Sequence, residues 1–108
     1  MSVEIHDNSK EVSDNIKAAL LRGLETCGLV AEGYAKKLAP VDTGNLRNSI
    51  THDVDYGEPA AYIGTNVEYA PYQELGTIHM KAQPFLKPAV ADHANEYRKI
   101  IENELKNG

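Results

Sequence analysis

Tyr69-Ala70-Pro71-Tyr72-Gln73-Glu74-Leu75-Gly76-Thr77, followed after a short polar run by Lys81-Ala82-Gln83-Pro84-Phe85-Leu86, is the stretch around which the chain is organised. It contains two of the six tyrosines and the only phenylalanine. A β-like segment precedes it and a helical pattern follows it, so both halves of the chain meet here. Pro71 suits the first turn of a helix and Gly76 suits the end of one. Together they predict one or two helical turns over Tyr69–Leu75. Thr77–Gln83 reads as a loop or a short extra strand. The functional groups are one carboxylate (Glu74), two phenols and one imidazole (His79), with no arrangement that suggests a nucleophile. Aromatics, turn residues and one charge describe a contact surface better than a catalytic pocket.

Working back from this stretch, Ala61, Ile63, Thr65 and Val67 share one face of a strand, with Tyr62 on the other. Asp55-Tyr56-Gly57-Glu58-Pro59 is a turn. Asn45–Val54 alternates as well, with Leu46, Ile50 and Val54 on the parity of Asn48 and His52. The two segments predict an antiparallel hairpin. Asp42, Thr43 and Gly44 form a structural turn ahead of it: Asp42 can bond amides two residues on, and Gly44 can take a positive φ.

Further upstream, Val12, Ile16, Leu20, Leu24, Cys27, Ala31, Tyr34 and Leu38 recur at steps of three or four, the stripe of an amphipathic helix. Asn8 and Glu11 have capping-box spacing at its start. Pro40 ends it near Leu38. Thirty residues would span about 45 Å, long for a domain of 108 residues. Gly23 and Gly28 within it point to a bend, a close crossing with another element, or close packing on a second subunit. Cys27, on the stripe, reads as a small buried hydrophobe. Met1–Asp7 reads as an arm or a short lead-in strand.

Downstream, Leu86, Val90, Ala94, Tyr97, Ile101 and Leu105 make a second helical stripe, predicting a helix from about Pro88 to Lys106. The fold class is therefore α+β: a long N-terminal helix, a small antiparallel sheet (the hairpin plus a possible extra strand), and a C-terminal helix packed on the sheet.

The single cysteine excludes an intramolecular disulfide or a thiolate metal cluster within one chain. A net charge of −5 argues against non-specific DNA binding, and Lys36-Lys37 and Arg98-Lys99 read as solvated helix faces. No apolar run reaches membrane-spanning length. The N-terminus lacks a secretory signal, so the chain is expected to stay where it is made. His6, His52, His79 and His93 are scattered without metal-ligand spacing. The one catalytic lead is Asp42-Thr43-Gly44, the tripeptide of aspartic proteases, whose dimeric members share one proton between two such carboxylates. Its context is wrong for that chemistry. The tripeptide follows a long helix and Ala39-Pro40, where the enzymes place an apolar strand in a nearly all-β fold.

Four pieces then stand in order: Ala39-Pro-Val-Asp-Thr-Gly-Asn-Leu-Arg-Asn-Ser-Ile50, Tyr62-Ile-Gly-Thr65, Tyr69-Ala-Pro-Tyr-Gln-Glu-Leu-Gly-Thr77 and Ala82-Gln-Pro-Phe-Leu-Lys-Pro-Ala89. In order and spacing the chain resembles the head–tail joining or tail-completion family of siphophages, named after gene product ten of a lambda-like coliphage. Leu75 departs from it, since the family more often has an aromatic there. The resemblance implies that residues 1–108 form a single head–tail joining domain without enzymatic activity, catalytic residues, metal or cofactor. It implies a virion component, assembled in the host cytoplasm and placed at the head–tail junction. It also implies a homo-oligomeric ring, expected to be six-fold, that contacts tail-tube and head connector proteins. Genome DNA would pass through the ring without specific binding, and no membrane is involved. Tyr69, Tyr72, Gln73, Glu74, Thr77, Lys81 and Phe85 are the expected subunit or partner interface, with the first helix supplying part of a second patch. For Tyr69, Tyr72 and Phe85 the other reading is that they pin the bridge to the subunit's own core. Alanine at Tyr72 or Glu74 is expected to abolish ring formation and leave a folded monomer. Asp53, Asp55 and Glu58 are candidates for an acidic channel lining.

Overall fold

Nearly every element packs on one helix, α1 (Asp14–Leu38). The computed structural model describes residues 2–6, 14–39, 45–78 and 81–107. The proposed Asn8–Glu11 cap and the Asp42-Thr43-Gly44 turn lie outside the described residues. With 25 residues, α1 is about 37 Å long, and the molecule measures 50 × 22 × 21 Å.

The predicted stripe on α1 is right at its centre. Leu20, Leu24, Cys27 and Ala31 are buried, while Ile16 and Leu38 near the ends are largely exposed. The buried face is wider than that stripe and includes Ala19, Gly23, Gly28 and Ala35. A sheet covers one flank of α1 and the C-terminal helix covers another, so small residues bring both close. A Cβ at Gly23 would stand 3.2 Å from the backbone of Ile101, and one at Gly28 would stand 2.9 Å from the His52 ring. Both glycines therefore serve crossings within the subunit.

The sheet has three antiparallel strands in the order β1 (Ser2–His6), β3 (Ala60–Gly64), β2 (Thr51–Asp55). Ser2 pairs with Gly64 and Val3 with Ile63 on one side of β3. His52 pairs with Ile63 and Val54 with Ala61 on the other. The expected hairpin is present, and its third strand comes from the N-terminus. Within Thr77–Gln83, Thr77 makes an isolated β-bridge, residues 79 and 80 lie outside the described set, and residues 81–83 have no regular structure. Val54, Ala61 and Ile63 are buried on the inward face, while Thr51, Asp53 and Asp55 point outward.

Two expectations change. Asn45–Ser49 is a short helix, α2, not the start of a strand. Leu46 and Ile50 are both buried, and a step of four fits a helix and a strand equally well. The Ser49 hydroxyl donates to the Leu46 carbonyl at 2.7 Å, closing the turn locally. After α3 (Ala70–Leu75), the last helix is in two pieces, α4 (Leu86–Ala91) and α5 (Ala94–Asn107). The break at Asp92-His93 lets α4 lie against β1 and α1 while α5 runs along α1. Tyr97 ties the pieces together, its hydroxyl donating to the Ala89 carbonyl at 2.5 Å. Its own carbonyl accepts from Cys27 Sγ at 3.5 Å. Burial, with help from the Glu96 charge, pushes the Cys27 thiol up to about 11, so the group is inert near neutrality. Tyr34 completes this corner. It stacks on His93 with ring centroids 3.6 Å apart and donates to the Glu96 carboxylate.

Candidate interaction surface

The bridge between sheet and C-terminal helices sorts its side chains by helical position. Pro71 lies in the first turn of α3, and Gly76 ends it with φ 77°, its N–H donating to the Tyr72 carbonyl at 2.8 Å. Ala70 and Glu74, one turn apart, face inward and are buried. Tyr69, Tyr72 and Leu75, three apart, face outward, and Ile78 follows. Their exposures rise along the chain from 39 % at Tyr69 through 58 % and 73 % to 95 % at Ile78. Two tyrosines, a leucine and an isoleucine thus form an exposed apolar ledge, the kind of side chain enriched at the centre of protein interfaces.

Of the seven residues expected at an interface, Tyr69, Tyr72, Thr77 and Lys81 are exposed. Gln73 lies on α3, and its side chain is outside the described positions. The other two face the protein's interior. Phe85 is fully buried in the main core with Leu46, Ile50, Leu86 and Ala89. Glu74 is 5 % exposed. Its Oε1 accepts from the N–H groups of Phe85 at 3.1 Å and Leu86 at 2.9 Å, and its Oε2 from Lys87 at 3.2 Å. These amides begin α4, where Phe85 as N-cap offers no side-chain acceptor. Glu74 thus caps a helix eleven positions downstream. For Phe85 the pinning reading is the one observed, and Glu74 does the same work. Both tie the bridge to the subunit's own core, and the exposed apolar side chains of the segment are those of the ledge. Leu75 and Ile78 were not expected there. No local signal marks them, because which side chains face out is set by how α3 packs on the rest of the chain.

A second cluster also lay beyond sequence reasoning. His52 on β2 places Nδ1 3.0 Å from Glu32 Oε1 and Nε2 2.8 Å from Glu25 Oε1, both on α1. A carboxylate at each ring nitrogen favours the doubly protonated imidazolium over either neutral tautomer. Partial burial works against that charge, but the bonds to Glu32 and Glu25 outweigh it and raise the pKa above the ordinary 6.5. Burial likewise opposes the charge on Glu32, and its contacts with His52 and Lys36 outweigh that and lower its pKa. The sign follows from linkage. The His52 contribution is complete below about pH 6.5 and is lost as pH rises through the raised folded value. Wild-type protein should lose urea resistance as pH rises above about 6.5, and His52→Gln should flatten that loss. An equal slope in the variant would remove the imidazolium from this role.

Among the described residues no group of three acidic, histidine or cysteine side chains could hold a metal ion. None of the described helices is long and apolar enough to cross a membrane. Comparison with known proteins adds two matches. The family described as "Bacteriophage HK97-gp10, putative tail-component" matches residues 4–76, from β1 through α3. The "Mu-like prophage FluMu G protein 1" of Haemophilus influenzae is 36 % identical over 76 residues, covering 69 % of this chain and 50 % of that protein. The chain thus spans about half the length of the curated relative it matches. No solved structure matches.

Proposed function

The chain belongs to the HK97-gp10-like family of phage tail components, and from that premise we propose that it forms or completes a ring at the head–tail junction of a tailed phage or prophage. It is a structural subunit, not an enzyme, and its place is the virion. The observation that carries this reading is the ledge of Tyr69, Tyr72, Leu75 and Ile78 on a bridge braced by Glu74 and Phe85. A rigid, exposed, apolar contact segment suits assembly. The ring, taken as six-fold, would contact the tail-tube protein on one side and head connector proteins on the other. The aspartic-protease reading has no support in the fold. Its tripeptide falls between two helices, α1 and α2, of an α+β protein.

Light scattering of the protein alone and mixed with tail-tube and connector proteins tests the proposal. A discrete ring, or a stable complex with either partner, supports it. A strict dimer indifferent to both overturns it and makes peptide cleavage, with Asp42→Asn as control, the next assay. Tyr72→Ala separates contact from folding. An exposed ring should leave stability within about 0.5 kcal/mol of wild type. As a central aromatic anchor its loss should weaken assembly by about thirtyfold or more. A variant that assembles as wild type does would remove Tyr72 from the interface.

A further inference from the structure

A basic notch and an acidic hairpin end lie at different points along α1. At its C-terminal end Lys36, Lys37 and Arg47 line a shallow notch of about 250 Å³. Arg47 Nε donates to the Lys36 carbonyl at 3.0 Å, which holds the guanidinium across the helix end with one of its five donors. Lys36 Nζ is 3.3 Å from Glu32 and partly neutralised. Lys37 is exposed, its Nζ 5.8 Å from the Tyr34 ring centre. Further toward the N-terminus of α1, strand β2 and the β2–β3 turn present exposed Asp53 and Asp55 on the strand and Glu58 in the turn, with Tyr56 63 % exposed beside them. Asp55 Oδ1 accepts from the N–H groups of Gly57 at 2.9 Å and Glu58 at 3.3 Å, so this turn keeps its shape. None of these three carboxylates is ion-paired among the described residues.

Tyr56 lies beside Leu21 and Arg22 of α1. From there to Lys36 the helix rises about 20 Å, so turn and notch of one copy cannot meet. Two unlike, complementary patches on one subunit are what a head-to-tail contact requires. Carboxylates and aromatic faces are also groups that lysine and arginine bind well. We propose that the β2–β3 turn of one copy docks into the Lys36/Lys37/Arg47 notch of the next. This deepens the ring reading and rests on it. A turn seated in a neighbour would spend its carboxylates on that contact and could not line a channel for DNA.

A carbodiimide, which joins a lysine amine directly to a carboxylate with no spacer, reads the contact. The sample is a mixture of ¹⁵N-labelled and unlabelled protein, alone and assembled on tail tubes. Links from Lys36 or Lys37 to Asp53, Asp55 or Glu58 are expected in mixed-isotope pairs. Lys37→Glu should weaken copy-to-copy association at least tenfold. The double variant Lys37→Glu/Glu58→Lys should associate with itself and refuse wild type. Copy-to-copy links through other lysines alone would overturn this contact and leave the ring standing. No link between copies in either sample, with the mass of a single chain, would overturn both. A Lys37-dependent shift of duplex DNA without copy-to-copy links would give the notch another occupant and also overturn the proposal.

Discussion

Alanine at Phe85 is expected to lower the free energy of unfolding by about 3–5 kcal/mol. Phe85 heads the fully buried side chains in size, and its cluster is otherwise rich in alanine, with Ala31, Ala35, Ala39, Ala70 and Ala89. Alanines have no rotamers with which to fill a void, so relaxation into the cavity is limited and the cost should fall high in that range. For a domain of this size the corresponding drop in Tm is roughly 12 °C or more. Urea and thermal melts of Phe85→Ala and Phe85→Leu would check it. Leucine should recover about half the loss, as expected of a cavity effect. If Phe85→Ala melts with wild type but fails to assemble, Phe85 is a contact residue after all.

Glu74→Ala is the second large effect. The change removes one carboxylate but strands three backbone donors, those of Phe85, Leu86 and Lys87. Each hydrogen bond to a charged acceptor is worth about 1.5–3 kcal/mol. Water can reach Lys87, which is exposed, so the sum is discounted, and a loss of about 3 kcal/mol is expected. Glu74→Gln keeps one acceptor but points an amide N–H₂ at a donor, and should fall between. Amide hydrogen exchange at residues 85–87 gives the specific signature. Their protection should collapse in Glu74→Ala while that of α1 falls only with global stability. Unchanged protection would mean that Glu74 does not cap α4. This corrects the expectation that alanine at Glu74 leaves a folded subunit and spoils only assembly. Tyr72→Ala remains the variant for that purpose.

What could be read from residues alone was whatever local periodicity encodes. The centre of α1, the β2–β3 hairpin and the turns of α3 between Pro71 and Gly76 follow from steps of three, four or two and from turn chemistry. Leu46 and Ile50 were misread because a step of four belongs to both periods. The stripe through Leu86, Val90, Ala94 and Tyr97 was continuous on paper, yet Ala94 is exposed because the axis turns at Asp92-His93. The roles of Glu74 and His52 could not be read at all. Glu74 acts on amides eleven to thirteen positions away, and His52 meets carboxylates twenty and twenty-seven positions back. A carboxylate's type and neighbours in sequence say nothing about which helix end the fold will bring to it. Of the segment expected to make contacts, Tyr69, Tyr72, Thr77 and Lys81 are exposed while Glu74 and Phe85 are buried. Which of its members face out depended on the register of α3.

Gly23 and Gly28 lie in the middle of α1, where each lowers helix propensity by about 1 kcal/mol. The groups packed over them are Ile101 and His52. On a ribosome, His52 follows Gly28 after a short interval, whereas Ile101 trails Gly23 by most of the chain. At about 5–20 residues per second the second delay is roughly 4–16 s. Throughout it the flank of α1 that bears Gly23 and Cys27 has no cover, and the helix is weakest where it is bare. The growing chain therefore passes through an interval in which the α5-facing part of its core is open to other nascent chains.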